Sequence, residues 1–271
     1  MGEAQRRSRN RKEIINSAKR CVYCDCTENA QIEHMPPRAM FNGDRPSGWE
    51  FACCERCNQG TRGADAVAVL VAMLEIITTD DWKLEKGVKL KGRIDTHAPN
   101  VWEEIFGTSL WQDARINHGG VWRSVKATRL NGFYTKKYLD VFSAKVAMAS
   151  FSNFVARPLN MNGLIYTEWF ANAGLNDEEY NRMVSIMPNF TQLTQGKKVS
   201  GKKFSVRSNT DAKSIVVGLA SFHNSLSVLF VATDNSQFIS ALKEIYKTIP
   251  LIQRPTVNLR YPGFYEIADG N

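Results

Sequence analysis

The chain of 271 residues lacks a long apolar segment. Its longest apolar run extends from Ala66 to Leu74 and, past one glutamate, to Ile77. A membrane-spanning helix needs about 20 such residues. The N-terminal charges are not followed by an apolar core, so no signal peptide is expected. These features favour a cytoplasmic protein without a membrane partner.

Cysteine is confined to a single stretch, because all six cysteines lie between residues 21 and 57. Four of them form two C-x-x-C pairs, Cys21 with Cys24 and Cys54 with Cys57. In a reducing compartment such pairs bind metal more often than they form disulfides. Four thiolates at about 2.3 Å from the ion make a closed, structural zinc site. We therefore predict one structural zinc ion per chain at these four residues.

Acidic residues are fewer than basic ones, 27 against 35, which leaves a formal net charge of +8. Residues 1–20 hold seven Lys and Arg against two Glu, a net charge of +5 in that segment alone. A basic arm of this kind favours a polyanionic partner, because neutralising phosphates releases counterions. A solvated tail without a partner is the alternative.

The sequence predicts an α+β protein in three parts, set by the basic segment, the cysteine-containing motif and the remaining chain. Residues 1–20 form a basic arm with a short helix, residues 21–78 a small zinc-stapled module, and residues 79–271 a larger α+β region of unassigned role. Helices are predicted at 10–19, 65–78, 101–110, 136–156, 176–187 and 234–248, strands at 121–128, 214–220, 225–233 and 256–261, and a mobile loop or strand edge at 195–207. The apolar helix 65–78 suits a core or a homodimer interface equally.

The segment between the two cysteine pairs contains Glu33-His34-Met35-Pro36-Pro37, and Asn58 directly follows the last cysteine. With these residues the sequence resembles the HNH endonucleases of the ββα-metal superfold. It is most similar to zinc-stapled members that read C-x-x-C, Asp/Glu-His-x-x-Pro and C-x-x-C-Asn. The resemblance covers about residues 18–70. It implies a metal-dependent endonuclease, prokaryotic or phage-encoded, that hydrolyses phosphodiester bonds in nucleic acid, DNA more than RNA.

The resemblance also implies a role for each residue of this motif. His34 matches the general base that takes a proton from the attacking water, a role that suits a neutral imidazole. Glu33 and Asn58 match the residues that hold the catalytic ion, and their oxygen atoms suit Mg²⁺ or Mn²⁺. Arg38, Arg56 and Arg62 lie near the motif in sequence and are candidate phosphate contacts.

Three features of this chain keep alternatives open. Trp49 stands where the family usually has its middle asparagine, which favours a non-catalytic zinc-stapled module that binds nucleic acid. Cys26 and Cys53 are not needed as zinc ligands, and a thiol switch that uses them is a third hypothesis. Asn58 would also serve as a helix N-cap after the second cysteine pair.

Overall fold

The structure is a computed structural model. It describes residues 11–28, 31–41, 45–74, 81–107, 112–118, 121–128, 130–171, 194–200, 203–223, 225–238 and 240. The helix predicted at 176–187, the strand predicted at 256–261 and residues 1–10 lie outside these ranges, as does most of the helix predicted at 234–248. The described helices and antiparallel sheets confirm the α+β class.

A short ββα unit follows an N-terminal helix, α1, at residues 11–17. Strand β1 (Gln31–His34) pairs antiparallel with strand β2 (Glu50–Cys53), and helix α2 (Glu55–Gly60) follows directly. The thiol of Cys54 caps α2 by accepting a hydrogen bond from the backbone N–H of Cys57. The cap is therefore Cys54, and Asn58 lies inside the helix, so the N-cap role considered for Asn58 is wrong.

Four further helices contribute to the interior, and they are α3 (Arg62–Met73), α4 (Asp81–His97), α5 (Val101–Phe106) and α6 (Phe133–Val155). Helix α3 packs against α6 on one side and α4 on another, and nearly all its residues are buried. Burial within one chain accounts for the apolar run, so this helix needs no partner subunit to cover it.

Helix α6 is the central element, because it also packs against a five-stranded antiparallel sheet. The spatial order of the sheet is β5 (Leu164–Ala171), β9 (Leu226–Thr233), β8 (Ile215–Phe222), β7 (Phe204–Thr210) and β6 (Thr194–Ser200). Strands β8 and β9 form the predicted hairpin. In the basic segment 195–207, residues 195–200 lie in the edge strand β6 and residues 204–207 lie in β7. For these described residues the prediction of a strand edge is confirmed and the alternative prediction of a mobile loop is wrong.

A separate two-stranded hairpin, β3 (Gln112–His118) with β4 (Val121–Ala127), lies between α5 and α6 in the chain. Strand β4 confirms the strand predicted at 121–128. The side chain of Glu104, on α5, caps α6 by accepting hydrogen bonds from the backbone N–H groups of Tyr134 and Thr135. This satisfies N–H groups that the first turn of a helix leaves free.

One continuous apolar core joins the ββα unit to the rest of the described chain. Trp49 is 1% exposed, and its ring makes edge contacts with Phe51 of β2, Phe154 of α6 and Phe204 of β7. Arg20 adds a polar link by donating hydrogen bonds to the carbonyl oxygens of Cys24 and Leu159. No helix among the described residues is long and apolar enough to cross a membrane.

Candidate metal centre and active site

Four buried cysteines form a possible metal site at the base of the ββα unit. The sulfur atoms of Cys21, Cys24, Cys54 and Cys57 all lie within 4.8 Å of one another. Sγ of Cys24 is 3.7 Å from Sγ of Cys54 and 3.6 Å from Sγ of Cys57. Ligands at about 2.3 Å from a tetrahedral ion are about 3.8 Å apart. The four thiols could therefore hold a metal ion such as zinc, as the sequence predicts.

The two remaining cysteines differ in their positions. Cys26 is partly exposed, and its thiol faces the carbonyl oxygen of Glu28 at 3.8 Å. Cys53 is fully buried, with its Sγ 3.7 Å from that of Cys21. Hydrogen bonds from the neighbouring thiols of Cys24, Cys53 and Cys57 lower the pKa of Cys21. Cys53 thus lies beside the cluster, as a neighbour of its first sulfur.

Glu33 and Asn58 lie side by side although they are distant in sequence. Pairing of β1 with β2 places Glu33 opposite Phe51, and α2 then runs back across β1. Nδ2 of Asn58 is 3.4 Å from Oε2 of Glu33 and 3.5 Å from the carbonyl oxygen of Ile32. Rotation of the Asn58 amide by half a turn would direct its oxygen to the same place. One carboxylate and one amide oxygen then fit a Mg²⁺ or Mn²⁺ ion that keeps water ligands.

Lys145 of α6 forms an ion pair with Oε1, the carboxylate oxygen of Glu33 that does not face Asn58. Its Nζ lies 3.2 Å from Oε1 of Glu33 and 2.6 Å from Oδ1 of Asp65, and its side chain is fully buried. Burial disfavours the charged ammonium, but the two carboxylates outweigh it and raise the pKa of Lys145 above its ordinary value. Lys145 therefore stays charged and directs Oε1 of Glu33 away from Asn58.

His34 ends strand β1, next to Glu33. Burial together with the positive charges of Arg45, Arg38 and Arg11 lowers its pKa to about 3, so its ring is neutral at pH 7. Its buried Nδ1 atom has no hydrogen-bond partner among the described residues. A neutral ring of this kind is in the form that can accept a proton.

The described parts of the loop between β1 and β2, residues 35–41 and 45–49, are held by hydrogen bonds and an ion pair. The backbone N–H of Met35 donates to the carbonyl oxygen of Trp49 at 3.2 Å, and Arg45 donates to that same oxygen at 2.9 Å. Arg45 also pairs with Glu50 at 2.6 Å. From the other side, a ring nitrogen of His223 lies 2.7 Å from the carbonyl oxygen of Met40. Burial of the Trp49 indole thus helps to hold the described part of this loop.

One cavity of about 420 Å³ joins these residues. Glu33, His34 and Asn58 all line it, so the structure brings the three motif residues together. The described residues that line it are Ile32, Glu33, His34, Pro37, Arg38, Ala39, Asn58, Arg62, Asp65, Ala66, Val69, Leu90, Arg93 and His97. The cavity is thus lined by two carboxylates, one amide, two imidazoles and three guanidinium groups.

Two of the three candidate arginines line this cavity, Arg38 and Arg62, whereas Arg56 is exposed on α2 and does not. Sequence reasoning missed Lys145, which lies in a predicted helix but was not linked to Glu33. It also missed Arg93 and His97 of α4. Their spacing of four residues on a charged helix indicates one shared face, but only the packing of α4 shows that this face meets the motif.

Comparison with protein-family models, curated proteins and solved structures finds no match for this chain. The residues of the site and their geometry therefore carry the functional argument.

Proposed function

We propose that this protein is a metal-dependent endonuclease of the HNH type that hydrolyses phosphodiester bonds in nucleic acid, DNA more than RNA. The observation that carries the proposal is the convergence of Glu33, His34 and Asn58 on one cavity beside the four-cysteine cluster. A ββα unit with the motif residues at these places is what the sequence resemblance implies. The net charge of +8 suits a polyanionic substrate.

Each residue has a distinct task in this proposal. His34 takes the proton from the water that attacks the scissile phosphate, while Arg38 and Arg62 hold the phosphate oxygens. Oε2 of Glu33 and the amide oxygen of Asn58 hold Mg²⁺ or Mn²⁺. That ion, when bound, stabilises the charge that develops on the phosphate and the leaving 3′ oxygen. The four cysteines hold zinc, which leaves no open ligand position and serves the fold alone.

A plasmid assay tests the proposal. Supercoiled plasmid incubated with the protein and Mg²⁺ or Mn²⁺ should become nicked or linear, and omission of the divalent ion should prevent this. His34→Ala should abolish cleavage while zinc content and thermal unfolding stay as in the parent protein. His118→Ala, which replaces a histidine of β3, is the matched control and should cut normally. Equal cleavage by both variants would remove His34 from the mechanism.

A second candidate function is a zinc-stapled module that binds nucleic acid without cutting it. The specific observation in its favour is the ion pair of Glu33 with Lys145, which already neutralises part of the carboxylate charge. Binding of plasmid without cleavage under Mg²⁺, Mn²⁺ and the other divalent ions tried would favour this function over the endonuclease.

A further inference from the structure

The cavity has a second wall that does not belong to the ββα unit. Helix α4 contributes Leu90, Arg93 and His97 to it, residues spaced by three and four positions and therefore on one helical face. Leu90 is 5% exposed and packs into the core. Arg93 and His97 are exposed side chains at the cavity. This face of α4 is thus anchored at one position and presents cationic or hydrogen-bonding groups at the other two.

The arginines around the cavity differ from those that hold the fold together. Arg157 pairs with Asp234 at 2.6 Å, and Arg45 pairs with Glu50 at 2.6 Å. Within the described part of the chain, no carboxylate pairs with Arg38, Arg62 or Arg93. Guanidinium groups that line one cavity and are not paired with a carboxylate are suited to bind an anion from solution. The two carboxylates that line the same cavity, Glu33 and Asp65, are paired with Lys145 instead.

Close packing holds this wall in place. Gly63 of α3 lies directly under the last turn of α4, where a Cβ atom would overlap the carbonyl oxygen of His97. The hydroxyl group of Tyr138, on α6, donates a hydrogen bond of 3.2 Å to that oxygen. The end of α4 is therefore fixed against two buried helices. Its cavity-facing side chains start from a rigid backbone, which lowers the entropic cost of ordering them on a ligand.

From this geometry we propose that Arg93 and His97 of α4 form a subsite for a backbone phosphate of the nucleic-acid strand, next to the scissile phosphate that Arg38 and Arg62 hold in the proposed function. The inference rests on the proposed function for the identity of the strand. Arginine binds phosphate oxygens through two parallel hydrogen bonds, and His97 adds a ring N–H donor. Helix α4 thereby extends the substrate site beyond the motif, and the subsite acts on affinity without reading the base sequence.

The test is the affinity for a fluorescent 20-nucleotide DNA, single-stranded and duplex, measured by anisotropy at several salt concentrations without added divalent ion. Arg93→Ala should weaken binding about five- to tenfold, lower the slope of log Kd against log salt by about one, and act alike on unrelated sequences. Arg93→Lys should retain the slope. The double variant Arg93→Ala/His97→Ala should weaken binding further.

Lys91→Ala is the matched control, since position 91 lies about 200° around the helix from position 93. Lys91 is exposed and pairs with Asp95 at 2.6 Å, away from the cavity. Its replacement should change Kd less than twofold. Arg93 is exposed, so its variant should fold, which circular dichroism checks. If Arg93→Ala binds like Lys91→Ala, with the parental salt slope, the subsite is refuted.

The binding assay separates this inference from the proposed function. If the parent protein cuts plasmid while Arg93→Ala binds and cuts normally, the endonuclease proposal is supported and the subsite is refuted. If the parent protein binds DNA through Arg93 but never cuts, the subsite is supported and the endonuclease proposal is refuted. If the parent protein does not bind nucleic acid at all, both are overturned.

Discussion

Nζ of Lys145 lies 3.2 Å from Oε1 of Glu33 inside the protein. The lysine belongs to the central helix α6 and the glutamate to strand β1 of the ββα unit. This ion pair links the candidate site directly to the core of the chain. It also leaves Oε2 as the oxygen of Glu33 that faces Asn58.

We expect Lys145→Met to destabilise the protein. The variant keeps most of the apolar stem of the side chain but leaves Glu33 and Asp65 without their cation. Removal of one partner from a buried ion pair costs about 3–5 kcal/mol. Urea denaturation measures the loss in free energy of unfolding. Lys136→Met, at an exposed position of the same helix, should change it by less than about 0.5 kcal/mol. A loss below about 1 kcal/mol for Lys145→Met would contradict the role given to this pair.

Replacement of one cluster cysteine should remove the metal. Cys24→Ser is expected to lower zinc from one ion per chain to nearly none, because a structural site needs all four thiolates. Loss of the ion should lower the free energy of unfolding by about 3 kcal/mol or more when the free ion exceeds its Kd a hundredfold, since the ion binds only the folded arrangement. Atomic absorption gives the zinc content. Cys26→Ser, at a thiol outside the cluster, should retain a full equivalent, and its loss of zinc would show that the ligand set is wrong.

Gly63→Ala should strain the contact between α3 and α4. The new methyl group would meet the carbonyl oxygen of His97 and the ring of Tyr138. Overpacking of this kind costs about 1–3 kcal/mol. Gly92→Ala is the matched control on α4, where a Cβ atom meets nothing within 4 Å. It should stabilise the helix by about 0.5–1 kcal/mol, because alanine is the better helix former. Thermal unfolding of both variants should therefore shift in opposite directions, and a shared direction would contradict the close packing.

Asp211, in the turn before β8, should stabilise the protein at neutral pH and lose this effect at acidic pH. Partial burial acts against its charge, but hydrogen bonds from Ser214, Lys213 and Ile215 outweigh this and hold the pKa of Asp211 below its ordinary value. A lowered carboxyl pKa stabilises the fold fully above the unfolded value of about 3.9. That contribution is lost as pH falls below this value and through the lower folded pKa.

Asp211→Asn keeps a side-chain oxygen that can accept these bonds but removes the charge. The parent protein should therefore be more stable than the variant at pH 6, and the difference should shrink between about pH 4 and pH 2. Urea denaturation at several pH values measures it. A difference that stays constant down to pH 2 would show that the charge of Asp211 contributes nothing.

Local sequence patterns predicted the four-cysteine cluster, several helices and strands, and the motif residues at the cavity. The two C-x-x-C spacings predicted the four-cysteine cluster, since each pair positions its thiols within one turn of chain. Apolar periodicity predicted α6 and the hairpin of β8 with β9. The resemblance to HNH endonucleases selected Glu33, His34 and Asn58, which line one cavity, and their catalytic roles stay a prediction.

Only the tertiary structure decided what surrounds that motif. Helix α4 was not predicted, and neither was strand β5, although β5 is rich in the aromatic and β-branched residues that favour strands. The pairing of Lys145 with Glu33 and the position of Arg93 at the cavity depend on how α6 and α4 pack. Such contacts join residues far apart in the chain and arise from burial of whole helix faces, which no short window of sequence records. Sequence alone determined the chemical groups of the site, and packing decided which charges face them.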